Sequence, residues 1–120
     1  MKLNHLDLQV PDVPATAAFF ERLYGLEIVS NRNSSAIIIL SDREGFVLVL
    51  QRLAEGESYP KDFHVGFLVG NPDEVRAQHA KISAAGVEST DVEVNNRGVM
   101  FYCKAPGNIT VETSWRKPHH

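Results

Sequence analysis

The chain has 120 residues, 43% hydrophobic and 22% charged, with a net charge of −3. That implies one globular domain with a single core, and the lack of a basic excess excludes a nucleic-acid footprint. One cysteine, Cys103, excludes a disulfide framework and a cysteine-rich metal site, and no apolar run approaches the roughly 18 residues of a membrane span.

The opening MKLNHLDLQV lacks the design of a signal peptide, so a cytoplasmic protein is expected. Leu3 to Val10 reads as a strand, with Leu6, Leu8 and Val10 on one side and Leu3, His5, Asp7 and Gln9 on the other. Pro11-Asp12 ends it, and Asp12 is suited to cap a helix running through Val13, Ala17, Phe20 and Leu23 to Gly25. Three strand-like runs follow, Leu26 to Ser30, Ala36 to Leu40 and Phe46 to Leu50, with a turn at Asp42-Arg43-Glu44-Gly45.

The second half repeats the order. Phe63 to Val69 is a strand, and Asn71-Pro72-Asp73-Glu74 starts a helix with a capping side chain, a first-turn proline and two acids at the positive end of the dipole. Val75, Ile82 and Ala85 form its apolar stripe, and Gly86 ends it. His79 belongs to packing or to the helix surface. Strands then cover Val87 to Val94, Val99 to Lys104 and Ile109 to Ser114, with a turn at Pro106-Gly107-Asn108. The tail from Arg116 to His120 is expected to fray, and its two histidines are set aside from site reasoning.

His5 and His64 lie 59 positions apart, and Gly25 and Gly86 lie 61 apart. A β-α-β-β-β order is therefore given twice, as module 1 over residues 1–57 and module 2 over residues 58–120. A repeat of this length is a half-domain that must pair to close a core. The expected fold is α+β: two modules whose curled mixed sheets pair into a cup, with the helices outside.

Strand alternation places His5, His64 and Glu112 on faces turned away from the helices. Two imidazoles and a carboxylate can hold a divalent ion and leave positions open for substrate. The plainer reading of each is a solvent-facing histidine or a surface glutamate. By the same parity, Asp7, Gln9, Thr110 and Ser114 are pocket candidates. Arg97, in the loop Asn95-Asn96-Arg97-Gly98, can meet an anion or stay solvated, and Trp115 either closes the core or flanks the pocket.

The paired openings His5-Leu6-Asp7-Leu8 and His64-Val65-Gly66-Phe67, with the closing Ala105-Pro106-Gly107-Asn108-Ile109-Thr110-Val111-Glu112, resemble the vicinal oxygen chelate superfamily over about residues 2 to 115. That superfamily includes glyoxalase I, fosfomycin-modifying thiol transferases, extradiol dioxygenases and bleomycin-resistance proteins. The resemblance implies His5, His64 and Glu112 as metal ligands, for Fe, Mn, Ni or Zn. It also implies Tyr102 as a site tyrosine, Glu112 as a base able to leave the metal, and a homodimer acting on a small-molecule substrate.

The fourth ligand of glyoxalase I falls on Val49 or Leu50, both apolar, which favours the three-ligand members. The chain has no histidine shortly before Phe101, where the dioxygenase signature carries one. A fosfomycin enzyme would carry a threonine in place of Asp7, and a lysine and serines in the stretch Asp91 to Val94. The alternative within the resemblance is a metal-free drug-binding protein of the bleomycin-resistance kind, for which Phe101, Tyr102 and Trp115 could line a groove.

Overall fold

The computed structural model describes residues 1–118; His119 and His120 lie outside the described residues. Chain contacts divide it into two compact units, Met1–Tyr59 and Pro60–His120. Among the described residues each unit holds one helix and one four-stranded mixed sheet, the β-α-β-β-β order expected from the sequence, and neither sheet closes into a barrel. No helix among them is long and apolar enough to cross a membrane.

The first unit runs β1 (His5–Val10), α1 (Val13–Tyr24), β2 (Glu27–Ser30), β3 (Ile37–Ser41) and β4 (Val47–Arg52), with sheet order β1-β4-β3-β2. Asp12 caps α1, accepting the Ala15 N–H at 3.0 Å. Gly25 closes the helix in the left-handed region at φ 70°, where a side chain would be strained. Val13, Ala17, Phe20 and Leu23 bury the apolar stripe against β2, β3 and β4. Ile38, Leu40, Leu48 and Leu50, every second residue of β3 and β4, are buried as well. Leu8 and Val10 are buried, whereas His5, Asp7 and Gln9 are exposed on the other side of β1. The first strand is shorter than expected, because Leu3 stands free in solvent.

The second unit runs β5 (His64–Leu68), α2 (Pro72–Ala84), β6 (Glu93–Asn95), β7 (Gly98–Ala105) and β8 (Ile109–Arg116), with sheet order β5-β8-β7-β6. The Asn71 side chain accepts the Glu74 N–H at 2.9 Å, and Glu74 reaches back to the Gly70 N–H at 2.8 Å. These two bonds satisfy donors that a helix start leaves unpaired. Only Val75 and Ile82 of α2 are buried, and Ala85, placed in the apolar stripe by sequence, is an exposed capping residue. A polar contact reinforces that thin stripe: His79 Nε2–H donates to the Thr90 carbonyl at 3.0 Å. The His79 ring also meets Phe101 edge-on at 5.0 Å.

Two further strands differ from the sequence expectation. The sixth strand is Glu93–Asn95 alone, not Val87 to Val94. Upstream of it, Ser89 makes a single bridge to Cys103, and the Thr90 hydroxyl takes the Tyr102 N–H at 3.0 Å in place of a backbone carbonyl, so the ladder stops. The last strand is longer than expected and carries Arg116 inside the sheet, opposite Gly98, instead of in a frayed tail. Gly98 permits this, since a Cβ there would lie 1.9 Å from the Trp115 carbonyl oxygen.

Candidate metal and substrate site

β8 pairs in parallel with β5 and antiparallel with β7, so its side chains form rungs with both. One rung is Lys104–Thr110–His64, the next Tyr102–Glu112–Gly66, and the next Met100–Ser114–Leu68. All lie on the face of the sheet opposite Val65, Phe67 and Val111. Sequence parity therefore brings His64, Tyr102, Thr110, Glu112 and Ser114 to one face. Trp115 falls on the other face, in register with Val99. Arg97 occupies the tight turn between β6 and β7, where the Asn95 side chain accepts its N–H at 2.8 Å.

His64 is half exposed and oriented at both ends of its ring. Nδ1–H donates to the Asp62 carbonyl at 3.0 Å, which fixes the tautomer and leaves the Nε2 lone pair available. Nε2 lies 3.6 Å from Glu112 Oε1. Two ligands each about 2.1 Å from one ion in a tetrahedral arrangement would be about 3.4 Å apart, so the spacing suits two donors of one ion. The Tyr102 ring stands edge-on to His64, with centroids 6.0 Å apart.

Glu112 is a nearly buried carboxylate, with 6% of its side chain exposed. Its Oε2 accepts from Arg116 Nη2 at 2.9 Å. Burial alone would raise its pKa. The Ser114 and Tyr102 hydroxyls and the Arg116 guanidinium outweigh that and hold it below the ordinary carboxylate range. The Ser114 hydroxyl is itself buried and, among the described residues, makes no hydrogen bond of standard geometry. Burial, followed by the Glu112 carboxylate, pushes the Tyr102 phenol above its usual value, with the Arg97 charge opposing. The phenol thus keeps its proton at neutral pH.

In the first unit His5 opens β1 as His64 opens β5, and it is exposed on the face away from α1. The Gln51 amide donates to Asp7 Oδ2 at 2.6 Å, and the Gln9 N–H donates to the Tyr59 hydroxyl at 2.7 Å. Register decides between Val49 and Leu50. Asp7 pairs with Val49 as Gly66 pairs with Glu112, so Val49 is the module 1 counterpart of Glu112 and lies on the His5 face. Leu50 is core. Within neither unit do three His, Cys, Asp or Glu side chains among the described residues gather into a metal-holding cluster.

Sequence reasoning missed Arg116 and Lys104. Arg116 was hidden by an early end to β8. Lys104 stood on the right face by parity and carried that signal unread.

The chain matches the family described as the Glyoxalase/Bleomycin resistance protein/Dioxygenase superfamily over residues 2–113. It belongs to that superfamily. Among solved structures, a possible glyoxalase from Bacillus cereus is 33% identical, with a TM-score of 0.81, over 95% of this chain and 98% of that one. The lactoylglutathione lyase of Agrobacterium tumefaciens shares the fold at 17% identity and a TM-score of 0.79, over 95% and 92% of the two chains. So does a mutant of the fosfomycin resistance protein FosX from Listeria monocytogenes, complexed with Mn(II) and 1S,2S-dihydroxypropylphosphonic acid. It is 20% identical, with a TM-score of 0.79, over 97% and 92% of the chains. No curated protein matches the chain. The two-module fold expected from the sequence is thus that of a glyoxalase-superfamily member.

Proposed function

We propose that this glyoxalase-superfamily protein is a metal-dependent enzyme acting on a small substrate with adjacent oxygens, with His5, His64 and Glu112 as the metal ligands. The observation that carries the reading is the setting of His64. Its Nδ1 is committed to a backbone carbonyl, and its Nε2 is turned to a buried, ionised carboxylate. The FosX complex with Mn(II) supports an ion of the Fe, Mn, Ni or Zn group. Bound there, such an ion supplies Lewis acidity toward the substrate oxygens. Glu112 holds negative charge on a nearly buried carboxylate, and it is the candidate base. Tyr102, still protonated, can donate a hydrogen bond to an oxyanion on the substrate.

In our reading the protein is a cytoplasmic homodimer. Purified protein should carry about one divalent ion per chain by elemental analysis, and His64→Ala should lose it. Protein prepared without chelators that holds no metal, and shows no calorimetric binding of Mn, Fe, Ni or Zn, would sink this reading.

A second reading has one observation behind it. Arg116 already neutralises Glu112, as a metal-free binding protein of the bleomycin-resistance kind would require. The same titration separates the two.

A further inference from the structure

We infer that the cavity beside His64 is an oxyanion subsite, in which Lys104 holds a carboxylate or phosphonate group of the bound small molecule. It deepens the proposed function, and rests on that reading only for calling the bound molecule a substrate.

The cavity lies wholly in the second unit and has a volume of about 540 Å³; its lining includes Lys61, His64, Glu88, Tyr102, Lys104 and Thr110. One rung of the sheet, Lys104–Thr110–His64, crosses it. Lys104 Nζ donates to Thr110 Oγ1 at 2.7 Å. An ammonium has three N–H donors, so two remain to be satisfied. No carboxylate pairs with Lys104 among the described residues. Thr110, having accepted from Lys104, keeps its own O–H to donate.

The other charged groups at the cavity, Lys61, Asp62 and Glu88, are exposed, and water and salt screen them. Lys104 is half-buried, so its charge acts within the cavity. A neutral diol would leave it unpaired.

Position gives the subsite its use. Same-face residues two apart on a strand are separated by about 6.8 Å. Lys104 therefore stands one such step from the rung of Tyr102 and Glu112. A molecule with oxygens at His64 and Glu112 brings a group two or three bonds further along within reach of the Lys104 ammonium. The cations at the opposite end of the sheet are less suited. Arg116 is already bonded to Glu112, and Arg97 and Lys117 are exposed.

The test uses the full chain stripped of metal on a chelating resin, titrated calorimetrically with methylphosphonate, propanoate and, as a neutral control, 1,2-propanediol. The two anions should bind and the diol should not, and the stronger of the two names the preferred oxyanion. Lys104→Met should weaken anion binding about tenfold or more, the loss expected for one charge-assisted hydrogen bond, while Lys104→Arg retains most of it. Lys104→Gln replaces the methionine variant if that one does not fold. Mn(II) binding, measured alongside, should persist in the Lys104 variants, no weaker than in wild type. Anion binding that survives both Lys104→Met and Lys104→Gln, no anion binding by the wild type, or equal binding of the diol overturns the inference. Loss of anion binding in Lys104→Met by a protein that takes up no metal keeps the subsite and overturns the metal reading instead.

Discussion

Gly66 faces Glu112 across the β5–β8 ladder so closely that a methyl group on Gly66 would lie 3.2 Å from both the Glu112 Cβ and its carbonyl oxygen. The glycine is needed for space here. Its backbone is ordinary, and the gap above it is what lets a carboxylate sit buried beside an edge strand. Gly66→Ala should therefore cost about 1 kcal/mol, and Gly66→Val roughly 1–3 kcal/mol, in urea unfolding. Gly66→Val should also weaken Mn(II) binding, because Glu112 is displaced. Unchanged metal affinity in a destabilised Gly66→Val would show that β5 gives way instead.

Module 1 offers the complementary change. Val49 occupies the Glu112-equivalent register position on the His5 face, whereas Leu50 is wholly buried against α1. Val49 is itself buried, so Val49→Glu should destabilise the metal-free protein, and Mn(II) should recover that stability by binding the added carboxylate. Leu50→Glu buries an unpaired charge in the core and should cost several kcal/mol, to the point of unfolding. Thermal melts with and without Mn(II) distinguish the two. Metal rescue of Leu50→Glu would reverse the register assignment.

The fold was legible because its signals were local and repeated. Asp12 and Asn71 as caps, Gly25 and Gly86 as helix stops, and alternation in β1 and β5 each needed only a few neighbouring residues. Parity alone was enough to put His64 and Glu112 on one face. Features that depend on pairing across strands were not legible. The Thr90 hydroxyl replaces a ladder carbonyl and cuts the sixth strand short, and the room at Gly98 carries β8 on to Arg116. In α2, packing goes partly through a histidine, so an apolar-stripe reading finds too little there and wrongly recruits Ala85.

The Glu112 pKa sets a pH dependence whose sign follows from its direction. A carboxyl held below its ordinary value contributes stability that is present above the unfolded pKa and is lost as pH falls through the folded one. Metal-free wild type should therefore melt higher than Glu112→Gln near neutrality. The gap should close as the pH drops below about 4, where an unfolded glutamate takes up its proton. A constant gap from neutral pH to pH 3 would mean that the lowered pKa contributes nothing to the fold.

Arg116 separates the two functional readings. Its guanidinium lies 2.9 Å from Glu112 Oε2 and is partly exposed, while the carboxylate is not. Arg116→Met removes the cation and leaves the buried acid short of a partner, at a cost of roughly 1–3 kcal/mol to the metal-free protein, toward the lower end because water reaches the arginine. The same change makes the site more negative, so a bound divalent ion should be held more tightly. Binding to the folded state alone stabilises it in proportion to the logarithm of ligand over Kd. Saturating Mn(II) should then raise the melting temperature of Arg116→Met by more than it raises that of wild type, closing the gap between them. If the protein works without metal, Arg116→Met stays destabilised at every Mn(II) concentration, and the arginine is the permanent counter-ion of Glu112.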